Sequence, residues 1–109
     1  MFQFIEQMEQ NFEDQEIISI AQNDIKAILK TIEKDQVEEL IENLGEDYDL
    51  DQFTSHMEQI IIKKGVFYKY VLEYYFDVDY QGVKKYCYIL KISDKNEFID
   101  NVFYLIKDE

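Results

Sequence analysis

The sequence predicts an α+β fold: N-terminal helices, then a tyrosine-rich antiparallel β-hairpin with room for a third strand, then a C-terminal helix. Three observations carry that expectation. Apolar residues recur every three to four positions up to Ile62, alternation with polar residues replaces that pattern after Gly65, and a capping pair, Asp94 and Glu97, precedes a last helically spaced run. At 109 residues the chain is read as one compact domain, 1–109, with an acidic helical part (1–62) and a neutral hairpin–helix part (63–109).

The first predicted helix carries Phe4, Ile5, Met8 and Phe12. The second runs from Glu16 to Glu33, with Ile18, Ala21, Ile25, Ile28, Leu29 and Ile32 on one face, although Glu16–Ile20 also reads as a short strand. Asp35 and Glu38 form a capping-box-like pair for a third helix, striped by Val37, Leu40, Ile41 and Leu44 and ended by Gly45. Asp49 or Asp51 then caps a fourth helix bearing Phe53, Met57, Ile60 and Ile61.

After Gly65 the alternating residues Val66 to Val78 and Lys84 to Ile92 read as two strands. A three-residue loop, Tyr80-Gln81-Gly82, would pair Asp79 with Val83, Phe76 with Tyr86 and Tyr74 with Tyr88, and set Asp77 opposite Lys85. A two-residue loop would pair even with odd positions and scramble the faces. Two strands alone are marginal, so a third is sought in Glu16–Ile20 or in another subunit. Phe98, Val102, Leu105 and Ile106 give the terminal helix its apolar side.

Charge is distributed unevenly. Residues 1–62 hold sixteen acids against three lysines, whereas 63–109 hold eight of each, for a net charge of -13. Such a field attracts basic surfaces and repels nucleic acid. All eleven basic residues are lysine, and the absence of arginine removes the usual bidentate ligand of phosphate and guanine. Direct nucleic-acid binding is therefore not expected. No apolar run approaches a membrane span and no signal peptide is apparent, so neither a membrane partner nor export is expected. The lone Cys87, an inert mid-strand thiol, fits a reducing, cytoplasmic location.

The catalytic parts are missing. His56 stands alone without a second histidine or paired cysteine, and no glycine-rich phosphate loop occurs, so neither an enzyme nor a metal or cofactor site is expected. Asp47, Asp49, Asp51 and Glu58 have the spacing of a calcium loop. Gln52 occupies the position that needs glycine, however, so a helix-capping loop is the simpler reading.

What remains is a binding surface. Glu38, Glu39, Glu42 and Glu46 place like charges at i,i+4, with no lysine between Asp35 and Ile62 to relieve them. With Asp47, Tyr48 and Asp49 they form a candidate docking face for a basic protein partner, and Tyr75 is a further interface candidate. The expected function is that of a small acidic inhibitor, in the manner of an immunity protein or antitoxin that occludes a basic bacterial toxin of nuclease type. The alternatives are a phage-type nucleic-acid (DNA) mimic of the anti-restriction or anti-CRISPR kind, and a homodimer or other oligomer subunit pairing hairpin edges.

Overall fold

The computed structural model describes residues 14–106, with side chains from Glu16 onward. The predicted first helix, with Phe4, Ile5, Met8 and Phe12, lies outside the described residues. Two helices, α1 (Asp14–Asp35) and α2 (Val37–Leu44), are followed by a 3-10 turn (Leu50–Gln52). Four antiparallel strands come next: β1 (Phe53–Lys64), β2 (Tyr70–Tyr80), β3 (Val83–Ser93) and β4 (Phe98–Leu105). The strands form a single sheet in the order β1-β2-β3-β4.

One face of the sheet packs on α1. Ile17, Ala21, Ile25 and Leu29, spaced four residues apart, meet Leu72, Tyr74, Phe76 and Val78 of β2 and Tyr86, Tyr88, Leu90 and Ile92 of β3. The i,i+4 spacing makes a single apolar stripe, so α1 buries one face and leaves Lys26, Lys30 and Lys34 outside. Tyr88 is fully buried, and its hydroxyl donates to Asp24 of α1, tying the layers together.

Among the described residues the fold class departs from the expected one in two respects: Phe98–Leu105 is a strand where a C-terminal helix was expected, and four strands replace the hairpin. Glu16–Ile20, which also read as a short strand, belongs to the helix. The strand that was sought comes from Phe53–Lys64, read above as the fourth helix. The cause is a β-bulge. Phe53, Ser55 and Met57 pair with Tyr80, Val78 and Phe76; Glu58 is then skipped, and Ile60 and Ile62 pair with Tyr74 and Leu72. The inward positions thus pass from odd to even, which spaces Phe53, Met57 and Ile60 as a helix would. The β-branched run Ile60-Ile61-Ile62 favours the strand that forms.

β4 repeats this device. Ile99 is skipped between the pairs Lys91–Asp100 and Ile92–Phe98, so the inward set passes from Phe98 to Asn101, Phe103 and Leu105. Asp94 and Glu97 cap no helix. Ser93 organises a tight turn instead: its Oγ accepts from the backbone N–H of Lys95 and of Glu97, both at 3.1 Å, and Asn96 takes a φ of 61°.

The β2–β3 register also differs. Tyr80 pairs with Val83 across a two-residue turn, with Gln81 and Gly82 at φ 51° and 81°, the signs a type I′ turn requires. Lys85 is the extra residue between the pairs Asp79–Lys84 and Val78–Tyr86, and this bulge restores the faces that a two-residue loop would otherwise exchange. Asp77 accordingly stands opposite Cys87, and its carboxylate meets Lys84 instead of Lys85.

Candidate functional site

The proposed docking residues fall on α2 and the segment that leads from it to β1. With eight residues α2 is too short to persist alone, and its N-cap, Gln36, makes no side-chain capping bond in place of the expected Asp35–Glu38 pair. What holds it is burial: Leu40 is fully enclosed, and Ile41 and Leu44 are half-buried. At the other end Gly45, at φ 101°, donates to Ile41 O and turns the chain in a way that disfavours a side chain.

This anchoring points the charges outward. Glu38, Glu42, Glu46, Asp47 and Asp49 are exposed, and Glu39 and Tyr48 are half-buried. Tyr48 donates its hydroxyl to Glu33 Oε2 at 2.7 Å, which brings a residue of α1 into the group. That bond is the main reason the Tyr48 phenol is held above its ordinary range. Asp49 has two anchors: its N–H donates to Tyr80 Oη at 3.0 Å, and its Oδ1 accepts from Asp51 N at 3.0 Å, capping the 3-10 turn. Beneath α2, burial pushes the Tyr86 hydroxyl up and the nearby Glu39 adds to the shift.

Tyr75 is not part of this group. It lies on the outer face of the sheet, turned away from α1, and donates to Glu73 Oε1 at 3.0 Å. Nor does the calcium-like window assemble, because Glu58 projects from β1 beside His56 and Asp77 while Asp49 serves the 3-10 turn.

The outer face carries two ion networks, of which only a pairing of Asp77 with a lysine, Lys85, was expected. Around the buried Glu73 stand Lys63 Nζ at 3.1 Å and Lys91 Nζ at 3.7 Å. Burial alone would raise this carboxyl, but the bonds from Lys63 and Tyr75 bring it below its ordinary range. In the second network Lys84 Nζ lies 2.8 Å from Asp77 Oδ1, and His56 Nε2 lies 3.5 Å from Asp77 Oδ2 and 3.9 Å from Glu58 Oε2. His56 Nδ1 lies 3.7 Å from Asp79. Burial again opposes ionisation and is the largest single influence, but Lys84, Glu58 and His56 together outweigh it, so Asp77 also sits low. His56, Glu58 and Asp77 bring potential metal donors within 4.8 Å of one another, and Lys84 already balances the buried member of the three.

The two halves therefore treat charge differently. The buried carboxylates of the sheet, Glu73 and Asp77, meet lysine, whereas among the described residues none of Glu38, Glu39, Glu42, Glu46, Asp47 or Asp49 forms an ion pair. The lysines of α1 do not supply one. Lys26 and Lys30 line a groove of about 610 Å³ on the β1 side of the helix, floored by Ile25, Leu29 and Phe53.

Comparison with protein-family models, curated proteins and solved structures returns no match. Among the described residues no helix is long and apolar enough to cross a membrane.

Proposed function

We propose that this protein is a small acidic inhibitor that docks on the basic surface of another protein through α2 and the segment that follows it. The contact set is Glu38, Glu39, Glu42, Glu46, Asp47, Tyr48 and Asp49, to which the packing adds Glu33. The supporting observation is the uncompensated charge of this face beside a sheet whose buried carboxylates are matched with lysine. Carboxylates without internal partners keep their full field for an incoming cation and lose no existing pair on docking.

A cationic toxin of nuclease type, neutralised by an immunity protein, is the setting that matches this surface. Long-range attraction would speed encounter, and Tyr48, held by Glu33, would present a preset aromatic contact within the patch.

The test is an affinity capture from the native host lysate. The bait is compared with a variant in which Glu38, Glu39, Glu42 and Glu46 are all changed to Gln. A basic protein retained by the wild type, released by moderate salt and lost by the variant is the expected result. Equal retention of the same partner by both baits would make the acidic face a solvated surface and end this reading.

A further inference from the structure

The most exposed apolar residues among those described lie at the end of the sheet opposite the acidic face. The β1–β2 connection, Gly65 to Lys69, leaves Val66 93% and Phe67 94% exposed. This loop is built, not frayed. Gly65 N donates to Lys69 O at 3.3 Å, and a Cβ on Gly65 would stand 2.2 Å from the Tyr68 carbonyl oxygen, so only glycine lets the chain turn so tightly. Tyr68 folds back, half-buried, with its phenol against Glu97 of the β3–β4 turn, while Lys69 lies 5.9 Å from the Tyr70 ring centroid. Two adjacent apolar side chains are thus held out on a fixed apex.

What surrounds the apex identifies its partner. The stretch Lys63 to Tyr70 contains three lysines and no acid, in a chain of net charge -13. The adjoining turn adds Lys95 and Phe98, the latter 61% exposed, together with Asp94 and Glu97. An apolar tip with tyrosine and lysine at its shoulders follows the layering of a bilayer interface, where acyl chains give way to anionic headgroups. The tip is convex, which suits penetration of a soft surface.

We propose that this hairpin tip docks the protein on an anionic lipid surface, with Val66 and Phe67 entering the headgroup–acyl boundary and Lys64 and Lys69 meeting lipid phosphates. Lys63 contributes less, because Glu73 already holds it. Orientation makes such docking compatible with an acidic chain. Phe53 pairs with Tyr80 and Lys64 with Tyr70, so the acidic loop and the tip are separated by the eleven residues of β2, roughly 35 Å at about 3.3 Å per residue. The Debye length at physiological salt is about 8 Å, so the acidic loop is screened from a surface that touches the tip. The docked protein would present its acidic face to the surrounding solution. This inference is independent of the inhibitor reading, and either can fail alone.

The experiment is co-sedimentation of the full chain with vesicles of phosphatidylcholine alone and of phosphatidylcholine mixed with phosphatidylserine. Binding to the mixed vesicles that weakens with salt is expected. Phe67→Asp should abolish it, and Lys64→Gln with Lys69→Gln should weaken it by roughly twenty-five-fold, taking about five-fold per lysine. These positions are exposed, and an unchanged far-ultraviolet circular dichroism spectrum would confirm that each variant is folded. No sedimentation of the wild type at low salt, or equal sedimentation of Phe67→Asp, overturns the proposal. So would loss of a protein partner by Phe67→Asp in the absence of any vesicle binding.

Discussion

Leu40 is the residue on which the acidic face depends, and replacing it with alanine should detach that face while leaving the sheet folded. Leu40 is the buried residue of α2, an eight-residue helix without a side-chain N-cap bond. Its surface works against it. Glu38 and Glu42 at i,i+4, and Glu39 and Glu42 at i,i+3, are like-charge pairs, each costing about 0.2–0.5 kcal/mol. Burial supplies what propensity does not: a fully buried leucine contributes roughly 1.5–3 kcal/mol, and Ile41 and Leu44, half-buried, together contribute a similar amount.

Truncation to alanine in a closed site removes about 2.7–5 kcal/mol, most of what holds α2 in place. The core between α1 and the sheet does not contain Leu40, so its twelve buried residues remain packed. Hydrogen exchange read by mass spectrometry separates the two outcomes. Amides of Val37–Leu44 should exchange at least about a hundred-fold faster, the equivalent of 2.7 kcal/mol, while those of β2 and β3 keep their protection. Equal loss of protection in α2 and the central strands would refute the reasoning, because α2 would then be part of the main cooperative unit. The variant should also lose whatever partner the four-glutamine variant loses.

Two further outcomes follow from single residues. Ser93→Ala leaves the backbone N–H groups of Lys95 and Glu97 without their acceptor and should cost about 1–2 kcal/mol, a fall in Tm of roughly 4–10 °C; an unchanged Tm would show that the turn does not need the hydroxyl. Glu73 and Asp77 are held below the ordinary carboxylate range, so the stability they contribute is present above that range and lost as pH falls through their folded-state values. Urea midpoints should therefore drop as pH is lowered from about 5 to about 3, less steeply in Glu73→Gln; an identical slope in that variant would remove Glu73 from the account.

Which elements were legible in the sequence follows from where the bulges fall. α1 and α2 each bury one stripe, so their period survives in the sequence. The inward faces of β2 and β3 were also legible, because the bulge at Lys85 sits at the hairpin end and leaves Tyr86 to Ile92 in strict alternation. The strand expected from Val66 begins only at Tyr70, and its register is shifted by two residues, with Phe76 opposite Tyr88 instead of Tyr86. β1 was read as a helix because Glu58 interrupts it midway, and a two-residue period broken by one extra residue gives spacings of four and three. β4 was read as one because the stripe Phe98, Val102 and Leu105 joins residues of both faces: Val102 pairs with Ile89 on the outer side, while Phe98 and Leu105 point inward. The same error hid the outer-face networks. With Phe53–Lys64 taken as a helix, His56 has no reason to meet Asp77, nor Lys63 to meet Glu73. The acidic residues Glu38 to Asp49 stay together because they are continuous in sequence, on α2 and the segment after it. Glu33 was not legible among them, since only the Tyr48 hydrogen bond brings it there.

The surplus of acid is not in itself informative, since a chain with twenty-four carboxylates and eleven lysines must leave some unpaired. Their location is the informative part. Lysines occur in the helical layer, but Lys26 and Lys30 face the groove beside β1, where Asp51 is the carboxylate among the lining residues. A surface patterned only for solubility could carry one lysine four residues after Glu38 or Glu39 and gain a few tenths of a kcal/mol of helix stability. α2 forgoes that gain twice over, keeps two repulsive pairs, and relies on Leu40 to stay in place. A helix stabilised from beneath and left repulsive on top is poorly arranged as a solitary structure and well arranged to receive a cationic surface, whose arrival would relieve both pairs at once.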